Sequence, residues 1–407
     1  MSIMMALRNL RRRPARTLLT LSMIVVGTTL AIWTMGTANG SYDLMIDGTT
    51  RGWLGHFQVL SGDYADKPSL YKNIEDPMPL VESMATTPGV QAVTTRVETG
   101  GLLALENRTV ATAVLGVDPV NEVSTTTIAE NVVDGDWLKP KASKDDTNYP
   151  MVVGRGIANR LDAGVGDTLT FVGQAADGSM AADLFSVVGI YDSGSRRADR
   201  ALVFVRVEDA QELLVLGTRV HRIVGTVNDS RALASVMARL PRPDSPKHRL
   251  SDWMELNPQL WDLIKADRDS SAMILWAVIL VVVLGVANTM AMSVFERTRE
   301  LGVMLALGTS PARVVSVVLW EVTWLSAIGV GLGIAVGALC VEYTSIPLPE
   351  PVEMGGVVFT HMTGSNTWQW TVLNPLLVIV ASLLSGLLPA RQAAGLRPVD
   401  AISGRRR

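Results

Sequence analysis

Residues 272–314 read AMILWAVILVVVLGVANTMAMSVFERTRELGVMLALGTSPARV, and this stretch decides the class of the chain. Residues 272–293 carry no charged side chain. That is long enough for a helix through a bilayer core, which takes about 20 apolar residues. The pattern then changes at once to Glu296, Arg297, Arg299 and Glu300, and a second apolar run opens at Val314. Two greasy runs joined by a short charged segment describe a turn outside the hydrocarbon with no room for a folded domain.

Working outward, three more such runs appear, Leu18–Met35, Val314–Cys340 and Thr371–Leu388, none with an internal Lys or Arg. Composition agrees: 48% of the 407 residues are hydrophobic and the mean hydropathy is +0.27, too apolar for an ordinary soluble domain. The last run is short, and Trp368 and Trp370 extend it into the interface. The expected fold class is a membrane α-helical protein, four transmembrane helices with both termini inside, and a large α+β extracytoplasmic domain between helices 1 and 2. The segments are a cytoplasmic amphipathic stretch (1–17), spans at 18–38, 271–293, 314–340 and 371–388, the outer domain at 39–270, an inner loop at 294–313, an outer loop at 341–370 and a cytoplasmic tail at 389–407.

Charge supplies the orientation, because cytoplasmic flanks are enriched in Lys and Arg. Residues 1–17 hold Arg8, Arg11, Arg12, Arg13 and Arg16 with no acid, and residues 389–407 hold five Arg against Asp400. Region 40–270 has 32 acids against 23 bases, and 341–370 has three acids and no Lys or Arg. A cleaved signal peptide is the rival reading of the N-terminus, but its apolar region runs about 7–15 residues and this one is longer. Cys340 is the single cysteine, so no disulfide braces the outer domain.

Within that domain, 56–62 alternates as a strand, 79–93 reads as helix then strand, and 101–118 reads as a hairpin about Glu106-Asn107. Further strands and helices alternate to residue 240, which suggests an α+β fold of two lobes. The Pro-rich 241–253 reads as a break, followed by a polar helix from Trp253 to Asp269 that leads into the second span as a stalk.

Nucleotide and metal chemistry find no motif. A P-loop needs a Lys after Gly, and none of the seven Lys follows one. His56, His221, His248 and His361 are scattered without zinc spacing. No G-x-S-x-G elbow is present. The glycines of GVGLGIAVG (329–337) lie inside a span, where Gly333 and Gly337 at G-x-x-x-G spacing admit a neighbouring helix. Glu321 is an ionisable group two turns into the third run. It is a functional candidate by default, with three readings: a hydrogen bond to a partner helix, which is favoured, a contact with the inner end of the second span, or a proton or substrate role.

The segment ERTRE (296–300) with LGVMLALGTSPARV resembles the loop between spans two and three of type VII ABC permeases, the MacB-, FtsX- and LolC/LolE-type families. MALRNLRRRPARTLLTLSMIVVG is similar to their opening and LLPARQAAGLRPVDAISG (387–404) to their close; VLGVD, VVGRGIANRLDAGVGDTL and FSVVGIYDSG match between. The resemblance covers nearly the whole chain and is nearest to LolC/LolE-type lipoprotein-releasing permeases. It implies that the chain binds no cofactor, with ATP and Mg held by a partner ABC ATPase dimer into which the short inner helix docks. Leu301, Met304 and Leu305 would seat in the ATPase groove, Glu296, Arg297, Arg299 and Glu300 would line its rim, and Gly308 would end the helix. The expected partners are a second copy or paralogue, lipid-anchored protein cargo, a periplasmic carrier and membrane lipids, with no nucleic acid. Met273, Ile274, Trp276 and Ile279 would meet acyl chains at the outer face of an inner membrane. The place of a carrier-docking hairpin is 171–185, though FVGQAADGSMAADLF is short and polar for that task.

Overall fold

The computed structural model describes residues 14–141, 149–243, 245–354 and 357–395. Most of the basic amphipathic opening (1–13) and of the tail (396–407) lies outside them. Two units are present: one of residues up to Asp43, Leu263–Pro349 and His361 onward, the other of Leu44–Asp262 with Glu350–Thr360.

In chain order the elements are α1 (Pro14–Thr49), a π-helical turn (Thr50–Leu54), β1 (Phe57–Ser61), α2 (Met78–Ala85), β2 (Val90–Leu105), β3 (Arg108–Val117), α3 (Pro119–Thr125) and β4 (Val132–Gly135). There follow β5 (Pro150–Gly154), α4 (Arg155–Leu161), β6 (Thr168–Gln174), β7 (Met180–Tyr191), α5 (Arg196–Asp199), β8 (Leu202–Arg206), α6 (Val207–Leu213), β9 (Arg222–Val227), α7 (Leu233–Met237), β10 (His248–Asp252) and α8 (Trp253–Leu256). The last group is α9 (Pro258–Glu296), α10 (Thr298–Ala306), α11 (Pro311–Glu342), β11 (Ser345–Met354), β12 (Val357–Thr363) and α12 (Trp368–Ala394).

The first unit is the helical bundle. Among the described residues four helices, α1, α9, α11 and α12, are long and apolar enough to cross a membrane. Their common core joins Ile24, Ala31 and Met35 to Ile279, Val282 and Val286, to Val322 and Leu325, and to Val378. α12 runs past the 371–388 expectation at both ends and carries Pro375 and Pro389 inside it; a bundle re-satisfies the backbone groups that proline frees. α1 likewise continues well beyond residue 38. Residues 345–363, read as a loop, pair as the β11–β12 hairpin.

The second unit is built on a ten-stranded sheet ordered β10-β1-β9-β2-β3-β8-β5-β7-β4, with β6 pairing β2 and β7. β3–β8 and β5–β7 are parallel. β2, β3, β8, β5, β7 and β6 pair in a closed ring, and β9, β1 and β10 extend from the first half of β2. Its core under β3, β5 and β8 gathers Leu115, Val117, Ile128, Val152, Tyr191 and Phe204. β5 is buried along its whole length, as a strand covered on both faces must be. The Pro-rich segment is no linker, since β10 returns to the sheet edge with Phe57 opposite Asp252 and Ser61 opposite His248. An edge strand with one apolar residue, Leu250, offers little period-2 signal. The stalk helix starts at Pro258, not Trp253, because Asn257 leaves helical geometry and its side-chain oxygen caps the Leu260 N–H at 3.2 Å.

Candidate functional site

The charged turn between the second and third apolar runs is held by three short-range devices. α9 stops at Glu296 because Arg297 takes a non-helical conformation (φ −102°, ψ 10°). α10 stops two residues before Gly308, which adopts φ +87°, a conformation open to glycine without Cβ strain. There the Thr309 N–H reaches the Met304 carbonyl (3.0 Å) and the Gly308 N–H the Leu305 carbonyl (3.1 Å). That pair of bonds is a Schellman closure, which satisfies carbonyls that the helix end would orphan. Ser310 is extended and Pro311 opens α11 at its first position, where its missing N–H costs nothing.

Side chains then tie the turn to its neighbours. The Arg297 guanidinium donates to Glu321 Oε2 at 3.0 Å. Glu321 is only 7% exposed, so its formal charge has its counter-ion at the end of α9. Of the three readings of this residue, the geometry matches the contact with the second span's end. Arg16 of α1 pairs with Glu296 at 2.5 Å. The two ion pairs, between partners 24 and 280 positions apart, join α1, α9 and α11 around α10; only the Arg16–Glu296 pair was without a signal in the sequence.

The apolar face of α10 points the opposite way from the sequence expectation. Leu301 is 6% exposed, and it packs with Val294, Val314, Val318, Ala390 and Ala393; Met304 and Leu305 lie against the same cluster. These three residues share one stripe (i, i+3, i+4) and anchor the helix to its own bundle. Leu301 burial alone contributes about 1.5–3 kcal/mol. Leu301 is therefore not free to seat in another protein's groove, while Met304 and Leu305 are half-buried. The outward face carries Arg299, Glu300, Val303, Ala306 and Leu307, with Leu307 82% exposed. Sequence reasoning missed this stripe because a nine-residue helix with Val, Met, Leu and Ala all round has two apolar phases.

The other predicted positions fall elsewhere in the bundle. A Cβ on Gly333 would lie 2.6 Å from Thr28 Cβ, and one on Gly337 3.0 Å from Ile32 Cβ. Gly329, one turn earlier, meets Ile24 at 2.8 Å, so α1 and α11 approach along a three-step glycine ladder. Met273, Ile274 and Trp276 are exposed, Trp276 at 61%. Ile279 departs from that set: at 5% exposure it belongs to the bundle core and is unavailable to an acyl chain. It stands four residues beyond buried Leu275 and three before buried Val282, and shares their inward face. The 171–185 segment is the β6–β7 hairpin, paired from Thr168↔Ser186 to Gln174↔Met180.

The description "MacB-like periplasmic core domain" matches residues 17–242, more than half the chain, and "FtsX-like permease C-terminal" matches residues 272–398. The chain belongs to the MacB/FtsX-like family of ABC transporter permeases. This permease is thus a membrane protein with a periplasmic-type α+β domain, and family membership implies an ABC ATPase partner. It is 24% identical over 342 residues to the lipoprotein-releasing system transmembrane protein LolC of Xylella fastidiosa, covering 78% of each chain. It is 25% identical over 435 residues to a macrolide export ATP-binding/permease protein MacB of Rhodospirillum rubrum, spanning 99% of this chain and 60% of that protein. The periplasmic region of MacB from Actinobacillus actinomycetemcomitans matches at a TM-score of 0.35 and 12% identity, over 50% of this permease and 91% of that structure.

Proposed function

We propose that this permease, with both termini in the cytoplasm of an inner-membrane cell envelope, extracts lipid-anchored proteins from the outer leaflet on ATP hydrolysis by a separate ATPase. The observation that carries the reading is the outward stripe of α10, where apolar Val303, Ala306 and Leu307 stand beside Arg299 and Glu300 on a helix clamped to its own bundle. That is a surface fit for a partner's groove: apolar knobs seat, charges set register at the rim. ATP and Mg belong to the partner, a second permease copy or paralogue completes the assembly, and Met273, Ile274 and Trp276 present the apolar surface an acyl chain would meet. A periplasmic carrier would receive the cargo. The 78% two-way coverage of a LolC-named relative supports this choice of cargo.

The test is co-purification in detergent followed by release of a lipid-anchored reporter from spheroplasts. Leu307→Asp with Val303→Asp is expected to lose the ATPase and the release while the permease keeps its melting temperature. Retention of the ATPase by that variant sinks the docking assignment, and intact docking without any lipoprotein release sinks the cargo. A second reading, export of a small molecule or peptide through a periplasmic adaptor, is favoured by the MacB-named relative that spans 99% of this chain. Adaptor capture and drug sensitivity on deletion would select it.

A further inference from the structure

The junction of β5 with α4 and the segment between β7 and β8 enclose an open cavity of about 620 Å³, lined by none of the residues the transport reading uses. Its wall carries Arg155, Asn159, Arg160, Arg196 and Arg200. Two carboxylates, Asp192 and Asp199, line it as well, and both are already engaged. Asp192 holds Arg155 at 2.6 Å. Asp199 Oδ1 accepts the Ser193 N–H (2.9 Å) and hydroxyl (2.8 Å), and burial pushes its carboxyl above the usual range. Arg160, Arg196 and Arg200 have no ion-pair or hydrogen-bond partner among the described residues.

The frame that gathers these cations is closely packed. A Cβ on Gly154 would lie 2.4 Å from the Asp199 carbonyl oxygen, and one on Gly156 2.5 Å from Arg200 Cγ. The two segments therefore touch with no side chain between them, and Arg200 lies over Gly156. Ser195 closes the second segment, its N–H donating to Ser193 Oγ at 3.1 Å and its hydroxyl oxygen accepting from Ala198 N–H at 3.4 Å.

Three unpaired guanidiniums facing one space repel one another over the roughly 8 Å screening length of physiological salt, and no hydrogen bond of the fold offsets that. Guanidinium forks match planar oxyanions in pairs of bonds. One carboxylate occupies one fork; three forks call for an anion with more oxygens and more than one charge. We propose that this cavity binds a phosphate-bearing group. Its volume leaves room for the organic part of an ester, either a lipid headgroup or a soluble phosphate ester.

Calorimetry on the full-length permease in neutral detergent at low salt, with inorganic pyrophosphate as probe, tests the site. Wild type is expected to bind saturably, R160Q/R200Q at least tenfold more weakly, and R239Q, which removes a charge elsewhere on the same unit, within twofold of wild type. Absence of saturable binding, or equal weakening by R239Q, overturns the proposal. So does citrate binding as tightly as pyrophosphate. Reconstitution into nanodiscs separates the sources: phosphatidylglycerol that blocks the probe in wild type identifies a lipid headgroup, and probe binding equal in phosphatidylglycerol and phosphatidylcholine identifies a soluble ester.

Discussion

Among the described residues Arg96 is the largest fully buried side chain, and its surroundings show how much one residue can fix. It donates from Nε and Nη2 to both oxygens of Glu122, from Nη1 to the Trp53 carbonyl at 2.6 Å, and lies over the Trp53 ring at 4.8 Å. The π-helical turn that holds Trp53 is thereby sewn to β2 and α3. Removing one partner of such a pair strands a buried charge, at a cost of about 3–5 kcal/mol. Arg96→Met is accordingly expected to lower the melting temperature of the purified permease steeply, and Arg96→Met with Glu122→Leu to recover most of the loss. A double variant no better than the single would refute that account. Nothing in the sequence flagged Arg96 or Glu122, since each is an isolated charge in a strand and a short helix. By contrast the chemistry of Gly308 as a helix stop was legible, because a left-handed closure depends on local conformation alone.

At the scale of elements, local signals read well and facing did not. The four apolar helices and the β2–β3 hairpin follow from composition and period. The phase of α10 does not, because whether Leu301 or Val303 points inward depends on α11 and α12 packing beside it. The same tertiary dependence hid Ile279 in the core and β10 at the sheet edge. The ladder of Gly329, Gly333 and Gly337 is a case where spacing was informative, as small residues four apart have few uses in a span other than close approach. Gly333→Leu is expected to force α1 and α11 apart at Thr28, reducing the yield of folded permease and its thermal stability by several kcal/mol, a scale set by overpacking costs of about 1–3 kcal/mol and lost neighbouring contacts. Gly331→Leu, at a position open to space, is the matched control. Equal behaviour of the two variants would mean that the ladder carries no packing load.

For the whole molecule, stability is coupled to pH through two buried histidines of the sheet unit. Burial, aided by Arg51, pushes the His56 imidazole down to about 4; burial lowers that of His221 as well, which stacks on Tyr64 and accepts the Glu98 N–H at Nδ1. The unfolded chain takes up a proton near pH 6.5 whereas the folded His56 does not until about pH 4. Stability is therefore complete above 6.5 and falls as pH drops toward 4, by on the order of 3 kcal/mol for His56. Melting followed by tryptophan fluorescence at pH 7.5, 5.5 and 4.5 should show a smaller decline in His56→Gln than in wild type. A parallel decline would exclude His56 as the titrating group.

Leverage follows from the one-residue elbow at Arg297. α10 has nine residues, an arm about 13 Å long, and α9 has 39, a rod about 58 Å long. Both arms are packed into the bundle, α10 through Leu301 and α9 through Ile279, Val282 and Val286. Neither arm swings alone, so a push on the short one is resisted along the packed length of the long one. The Arg297–Glu321 ion pair is the rivet of that joint.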